Sequence, residues 1–376
     1  MDQTSERATH AHNLPTLLEE ANEIIISERA AAGCVTLNRP RRRNALSTAM
    51  RAQIAEALPR WVRDPNIYAV VITAAGQEAF CAGGDLRELA DWGRSFKPKA
   101  RASLAAEYAL NWRLECFTKP TISLIDGLVV GSGVGISLYG THRVASANYR
   151  FAMPETQIGL FPDDGVCHAF ARMPHHLGMY LALTGRAIGP ADAYHLGLAT
   201  HLIAASEFPA IRAAIAEAEP VDAVLDGYHR PPGVGDLAAV TDVIARCFGA
   251  DTVEEIIARL GEDRGGQGAW AQAVAGDLLR RSPTSLKLTH RHLRRAGEAD
   301  LRATLVENYR IAHQCLENAD FYEGVRAVVI DKDRVARWQP ARLEEVTQTQ
   351  LAPYFAPPAD GDLVLASRAE MQALQI

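Results

Sequence analysis

The segment "FAMPETQIGLFPDDG", residues 151–165, sets Glu155 and Asp163 among apolar residues, prolines and glycines, away from any run of charge. An acid so placed either bonds the backbone of a turn or serves as a base or nucleophile, its proton affinity tuned by burial and a second acid. Asp164 follows Asp163 directly, and repulsion between adjacent carboxylates would perturb one of them further. Two more stretches, "EAFCAGGDLREL" and "GLVVGSGVGISLYG", put small residues where a strand should end and a helix begin. Such a turn lets a ligand approach the main chain, and the unpaired amides of a first helical turn attract negative charge. Two amides aimed at one point would make an oxyanion hole; the plainer reading is a close-packed strand-to-helix turn. Gly131, Gly133 and Gly135 do not fit a dinucleotide fingerprint, and no GxxxxGK phosphate loop occurs.

These residues need elements to hold them. "EIIISERAAAGCVTLNRP" reads as two β-rich runs hinged at residues 31–33, and "ALSTAMRAQIAEALPRWVRD" has apolar residues at helical spacing after a Ser47 cap. "AVVITAAG" is a short β-branched strand. The pattern recurs as a helix near residues 100–117, a strand "TISLIDG", a helix opened by "GSGVGISLYG" and a strand "HRVASA". Such alternation implies an α/β architecture. Beyond about Ser206 the spacing turns helical, with "PVDAVLDGYHRPPGVGDL" expected as a loop-rich interruption and residues 93–102 as a loop beside the site.

The chain of 376 residues, 48% hydrophobic and 22% charged, is long enough for one large or two ordinary domains. Its 45 acids against 39 Lys and Arg give a net charge of -6, so no overall basic field attracts nucleic acid. Cys34, Cys81, Cys116, Cys167, Cys247 and Cys315 form no CxxC pair, which fits neither a zinc site nor a disulfide framework and makes the cytoplasm the expected compartment. With a polar start and no apolar run of membrane-spanning length, no membrane partner is expected. His142, His168, His175, His176, His195 and His201 show no metal-ligand spacing with acids or cysteines.

Taken together, "LNRPRRRNALS", "AFCAGGDLREL", "KPTISLIDGLVVGSGVGIS" and "FAMPETQIGLFPDDG" stand in the order and approximate spacing of the enoyl-CoA hydratase/isomerase, or crotonase, superfamily. "FAMPETQIGLFPD", "DTVEEIIARL", "SPTSLKLTHRHL" and "DFYEGVRAVVIDKDRVARWQP" resemble its 3-hydroxyisobutyryl-CoA hydrolase branch from about Ile24 to Phe355. The resemblance implies an α/β fold: a β-β-α spiral with two roughly perpendicular sheets, followed by a helical C-terminal region. The matching division is a disordered start at 1–20, a spiral core with the acyl-CoA site at 21–205, a helical region at 206–355 and a tail at 356–376.

The resemblance also carries site residues with it. Oxyanion amides fall on Ala82 and Ser132, with Gly83, Gly84, Asp85, Gly131 and Gly133 around the acyl group. Catalytic carboxylates fall on Glu155 and Asp163, and a further substrate-contacting glutamate on Glu107. Arg41, Arg42 and Arg43 lie in the loop near the nucleotide end of coenzyme A, and Lys287 is a second candidate for its phosphates. Ser132 stands where these hydrolases have glycine, and Asp164 where they have valine. The implied reaction is hydrolysis of a short β-hydroxyacyl-CoA, first of all 3-hydroxyisobutyryl-CoA in valine breakdown. Water is the second substrate, with no metal and no cofactor beyond the coenzyme A of the substrate itself. Two alternatives stand beside it: isomerisation or hydration of an enoyl-CoA, and a non-catalytic acyl-CoA binding protein. Hydration is disfavoured because the second glutamate of the hydratases falls on Gly135. The oligomeric state stays open, a homo-oligomer among the options.

Overall fold

A computed structural model describes residues 22–375, so the start expected to be disordered, residues 1–20, lies outside the described residues. The first two β-rich runs form an antiparallel hairpin, β1 (Ile24–Arg29) and β2 (Ala32–Leu37). Ser47 then caps α1 (Thr48–Arg63), its hydroxyl accepting from the Met50 amide at 3.3 Å. Met50, Ile54, Leu58 and Trp61 recur at helical spacing and are buried, each worth about 1.5–3 kcal/mol when fully removed from water.

After α1 the chain alternates between two sheets. β3 (Ala69–Ala74), β5 (Thr121–Ile125), β7 (His142–Ala145) and β9 (His201–Leu202) extend the hairpin into a six-stranded sheet ordered β1-β2-β3-β5-β7-β9. β4 (Ala79–Cys81), β6 (Leu128–Val130) and β8 (Arg150–Ala152) form a second, three-stranded sheet, all parallel. Helices α2 (Leu86–Ser95) and α3 (Lys97–Glu115) follow β4, and α4 (Ser132–Leu138) follows β6. Parallel strands joined by crossovers point the same way, so the C-terminal ends of β4, β6 and β8 lie side by side. Cys81 is level with Val129, and Val130 with Ala152. Three loops therefore leave one short edge, and they carry the glycine-rich turns and Glu155.

Two cores meet at that edge. Cys81, Val129, Val134 and Met153 belong to the larger core under the sheets, while Leu104, Tyr108, Phe161, Leu305 and Phe321 form a second one with the C-terminal helices. Two local expectations need correction. Residues 93–102 are helical, broken only by the corner at Phe96 between α2 and α3. Val221–Tyr228 is also a helix, leaving only 229–235 irregular in that stretch. The tail packs back onto α3, with Leu365 buried and Trp112 Nε1 donating to the Ala366 carbonyl at 2.8 Å. Among the described residues no helix is long and apolar enough to cross a membrane.

Candidate active site

Between β4 and α2 the chain turns through Ala82, Gly83 and Gly84, and Gly83 takes φ +98. Between β6 and α4 stands Gly131 at φ +49, ψ -125. Both backbones suit glycine and strain any residue with a Cβ. The Ala82 amide donates to the Arg43 carbonyl at 2.9 Å, so it is taken up by the fold, which corrects its assignment as an oxyanion donor. The Gly84 and Ser132 amides donate to no acceptor among the described residues. They lie together: a Cβ on Gly84 would stand 2.9 Å from Ser132 Oγ. Ser132 is the first residue of α4, and its amide is one of the orphan donors of a helix start. Asp85 is structural, capping α2 through the Glu88 amide at 3.3 Å and pairing with Arg39 at 3.1 Å. Gly133 serves packing, since a Cβ there would meet Cys81 Cβ at 2.5 Å.

The arginine loop is laced to this turn. Leu46 N donates to the Gly83 carbonyl at 2.8 Å and Asp85 N to the Leu46 carbonyl at 2.9 Å. Asn44, buried and at φ +56, ties the loop down by donating to the carbonyls of Ala75 and Ala79 at 2.9 and 2.8 Å. Arg41 and Arg42 are exposed on the short helix Pro40–Arg42, and Arg43 pairs at the surface with Glu78 at 2.6 Å. Lys287 is not brought here. Its ammonium pairs with Glu254 at 2.6 Å and donates to the Val346 carbonyl at 3.0 Å, in a separate cavity of about 540 Å³ that it shares with Asp251, Arg291 and Arg294.

Carboxyls occupy the other side of the site. β8 runs out through Pro154 into the 3-10 turn Glu155–Gln157, which leaves Glu155 6% exposed with Oε2 buried and unpartnered among the described residues. Its Oε1 lies over Gly131, 3.2 Å from where a Cβ would stand. Asp163 accepts from the Tyr108 hydroxyl at 2.8 Å. Glu107 is buried rather than solvated, and its carboxylate faces Arg51 Nη1 at 3.4 Å, both side chains 8% exposed. Asp164 sits at φ +54 and is 1% exposed. Asn111 Nδ2 donates to its Oδ1 at 2.6 Å, the Tyr139 hydroxyl donates to its carbonyl, and its Oδ2 is unpartnered. A Cβ on Gly135 would stand 2.8 Å from Asp164 Oδ1. The place expected to lack a second carboxyl therefore has one, lent by another loop.

Glu107, Glu155, Asp163 and Asp164 thus surround a region whose one buried guanidinium, among the described residues, is Arg51. Burial pushes the Glu155 carboxyl well above the usual range; its own backbone amide pulls it down and the Asp164 charge pushes it up again. Asp163 is raised by burial and by the charges of Glu107 and Glu155, against the Tyr108 hydroxyl. Asp164 is raised by burial, Asp163 and Glu107, with Asn111 and Arg51 opposing. Isolated carboxylates are costly to bury ionised, so burial and mutual repulsion raise the proton affinity of Glu155, Asp163 and Asp164 together.

Sequence reasoning missed Arg51, Tyr108, Asn111 and Tyr139. A signal existed for three of them. Leu104, Glu107, Tyr108 and Asn111 recur at i, i+3, i+4 and i+7 on α3, so one buried face carries polar groups beside Glu107. Arg51 interrupts the buried stripe of α1 next to Met50. Among the histidines, His142 and His201 pair instead with Asp222 and Asp226 at 2.8 and 3.3 Å.

Free amides at two helix-leading turns, opposite buried carboxyls on a third loop of a β-β-α spiral, define a site for polarising a carbonyl beside an acid or base. Residues 32–355 match the enoyl-CoA hydratase/isomerase family, and the chain belongs to that family. Within it, the chain is similar to 3-hydroxyisobutyryl-CoA hydrolase, mitochondrial, of Xenopus tropicalis, 40% identical over 91% of each chain. The Homo sapiens protein of the same name is 38% identical over 92% of this chain and 91% of its own. Among solved structures, one named an enoyl-CoA hydratase from Rhodobacter sphaeroides superposes with a TM-score of 0.84 at 36% identity, over 92% of this chain and 100% of that one. Another, named a carnitinyl-CoA dehydratase from Mycobacterium thermoresistibile, gives 0.86 at 34%, over 91% and 98%.

Proposed function

We propose that the chain hydrolyses the thioester of a short β-hydroxyacyl-CoA, 3-hydroxyisobutyryl-CoA first, releasing coenzyme A and the free hydroxy acid in valine breakdown. The observation that carries this is the pair of unengaged amides, Gly84 and Ser132, opposite the unpartnered carboxyl of Glu155. In the mechanism, the two amides donate to the thioester carbonyl oxygen and hold the oxyanion of the tetrahedral intermediate, each worth about 3 kcal/mol at the transition state. Glu155 removes a proton from the attacking water. The C–S bond then breaks, and the departing thiolate takes the proton that Glu155 removed from water, which returns Glu155 to its starting state. Asp163, held by Tyr108, faces the substrate hydroxyl, and Arg51, paired with Glu107, donates to the Leu46 carbonyl at 3.4 Å beside the glycine turn. Arg41, Arg42 and Arg43 take the phosphates of coenzyme A. We place the protein in the cytoplasm on its six unpaired, buried cysteines, whereas its vertebrate relatives carry "mitochondrial" in their names.

A second reading, addition of water to an enoyl-CoA, is favoured by the Asp164 carboxyl over Gly135, which removes the reason for disfavouring it. Turnover with thiol detection separates the two. Coenzyme A released from 3-hydroxyisobutyryl-CoA supports hydrolysis. Loss of the conjugated-enoyl absorbance from an unsaturated acyl-CoA, with no thiol released, supports hydration instead. Binding without either change leaves a non-catalytic acyl-CoA carrier.

A further inference from the structure

The proposed chemistry uses the amide of Ser132 and leaves its hydroxyl idle. A serine within a helix often turns its hydroxyl back onto the carbonyl one turn earlier, as Ser137 does in α4, donating to the Gly133 carbonyl at 2.8 Å. Ser132 opens α4 and has no helical carbonyl behind it. The residue is nonetheless only 9% exposed, and its hydroxyl has no hydrogen-bond partner among the described residues. That hydroxyl belongs to the site. The two glycine turns face each other, a Cβ on Gly131 falling 3.5 Å from Gly83 Cα. Ser132 Oγ stands 2.9 Å and Arg51 Nη1 3.6 Å from where a Cβ on Gly84 would be, so a side chain at 84 would displace the hydroxyl. The Gly84 amide is not spent on it. One enclosed corner therefore holds the two free amides and, beside them, an open hydroxyl.

We propose that the Ser132 hydroxyl is a specificity-determining group, binding the β-hydroxyl of the acyl chain while the Gly84 and Ser132 amides hold the thioester carbonyl. The shape of the substrate matches this corner. In a curled β-hydroxyacyl chain the carbonyl and hydroxyl oxygens approach to about 2.8 Å, the length of an ordinary O–H···O hydrogen bond. A group standing beside the carbonyl donors therefore reaches the second oxygen as well. A hydroxyl both accepts and donates, so the substrate oxygen accepts from Ser132 and donates to the carboxyl of Asp163, the partner already assigned to it. A plain acyl thioester leaves the Ser132 hydroxyl buried and unpaired, and that mismatch discriminates against it.

The inference rests on the hydrolase reading, and the test keeps the two apart. Thiol release is measured from 3-hydroxyisobutyryl-CoA and from isobutyryl-CoA, which lacks only the hydroxyl, with wild type, Ser132→Ala and Ser132→Gly. Both variants keep the amide, and both side chains are smaller than serine, so neither overpacks the corner. Wild type should favour the hydroxylated substrate in kcat/KM, and that preference should shrink by about tenfold in both variants, the loss falling on the hydroxylated substrate. A merely structural serine would lower both rates together and leave their ratio unmoved. An unchanged ratio in the two variants, whether the rates hold or fall equally, overturns the role of the Ser132 hydroxyl and leaves the hydrolase reading standing. No thiol from either substrate with wild type overturns the hydrolase reading and this inference with it.

Discussion

Two of the places where the protein buries acids treat them in opposite ways. In the C-terminal helices, Glu307 accepts from His292 Nδ1 at 2.9 Å and from Arg295 Nε at 2.7 Å. Burial alone would raise its carboxyl, but these two donors outweigh burial and hold it below the usual range. His292 Nε2 meets Asn308 Nδ2 at 2.8 Å, and Asn308 Oδ1 accepts from the Gly165 amide at 2.7 Å, so the network ends on the loop that carries Asp164. Across that loop the treatment reverses. Glu155 and Asp164 each keep one oxygen unpartnered, and both are pushed up. A buried acid with all its partners stabilises a fold; one deprived of them costs stability and holds reactivity.

Several changes sharpen or break that contrast. The largest effect is expected at Ser132. Proline is tolerated at the first helical position but has no N–H, so Ser132→Pro should fold and lose about 10²–10³-fold in kcat, whereas Ser132→Gly should keep hydrolysis. A folded proline variant with full turnover would remove this amide from the site. Next comes the arginine loop. Neutralising Arg41, Arg42 and Arg43 together should raise KM for acyl-CoA by about tenfold with little loss of kcat, because remote contacts serve ground and transition states alike. Equal KM values for acyl-CoA and an acyl-pantetheine in the wild type would contradict it.

The smallest effect on turnover is expected at Glu307. Its lowered carboxyl stabilises the fold above the ordinary glutamate range, and that stabilisation is lost as pH falls through its folded-state value. Glu307→Gln should therefore cost about 2 kcal/mol at neutral pH, flatten the loss of stability on acidification and leave kcat of the folded protein near wild type. Melting curves at neutral and acidic pH, beside initial rates, check all three.

Much of the site was legible because its backbone signals are local. The glycine turns, the Ser47 cap and the β-branched runs each state their conformation within a few residues. Glu155 and Asp163 stood out by type in an apolar segment. What escaped depends on contacts between distant loops. Nothing near Ala82 tells that Arg43, in a loop before α1, takes its amide. Nothing near Gly135 tells that Asp164 fills the space above it. Lys287 looked free for phosphate because Glu254 is 33 residues away in the chain, on a helix only the tertiary packing brings alongside.

The contrast between the two buried acids turns on Glu155, and one paired measurement addresses it: melting temperature and thiol release from 3-hydroxyisobutyryl-CoA for Glu155→Gln against wild type. A carboxyl raised in the folded state stabilises the protein only below its unfolded value and loses that stabilisation as pH rises through the folded one. Removing it should leave the melting temperature at neutral pH unchanged or higher while hydrolysis falls by at least ~10²-fold. A Glu155→Gln protein that melts lower and hydrolyses as fast as wild type would contradict the account and leave Glu155 a structural carboxylate like Glu307.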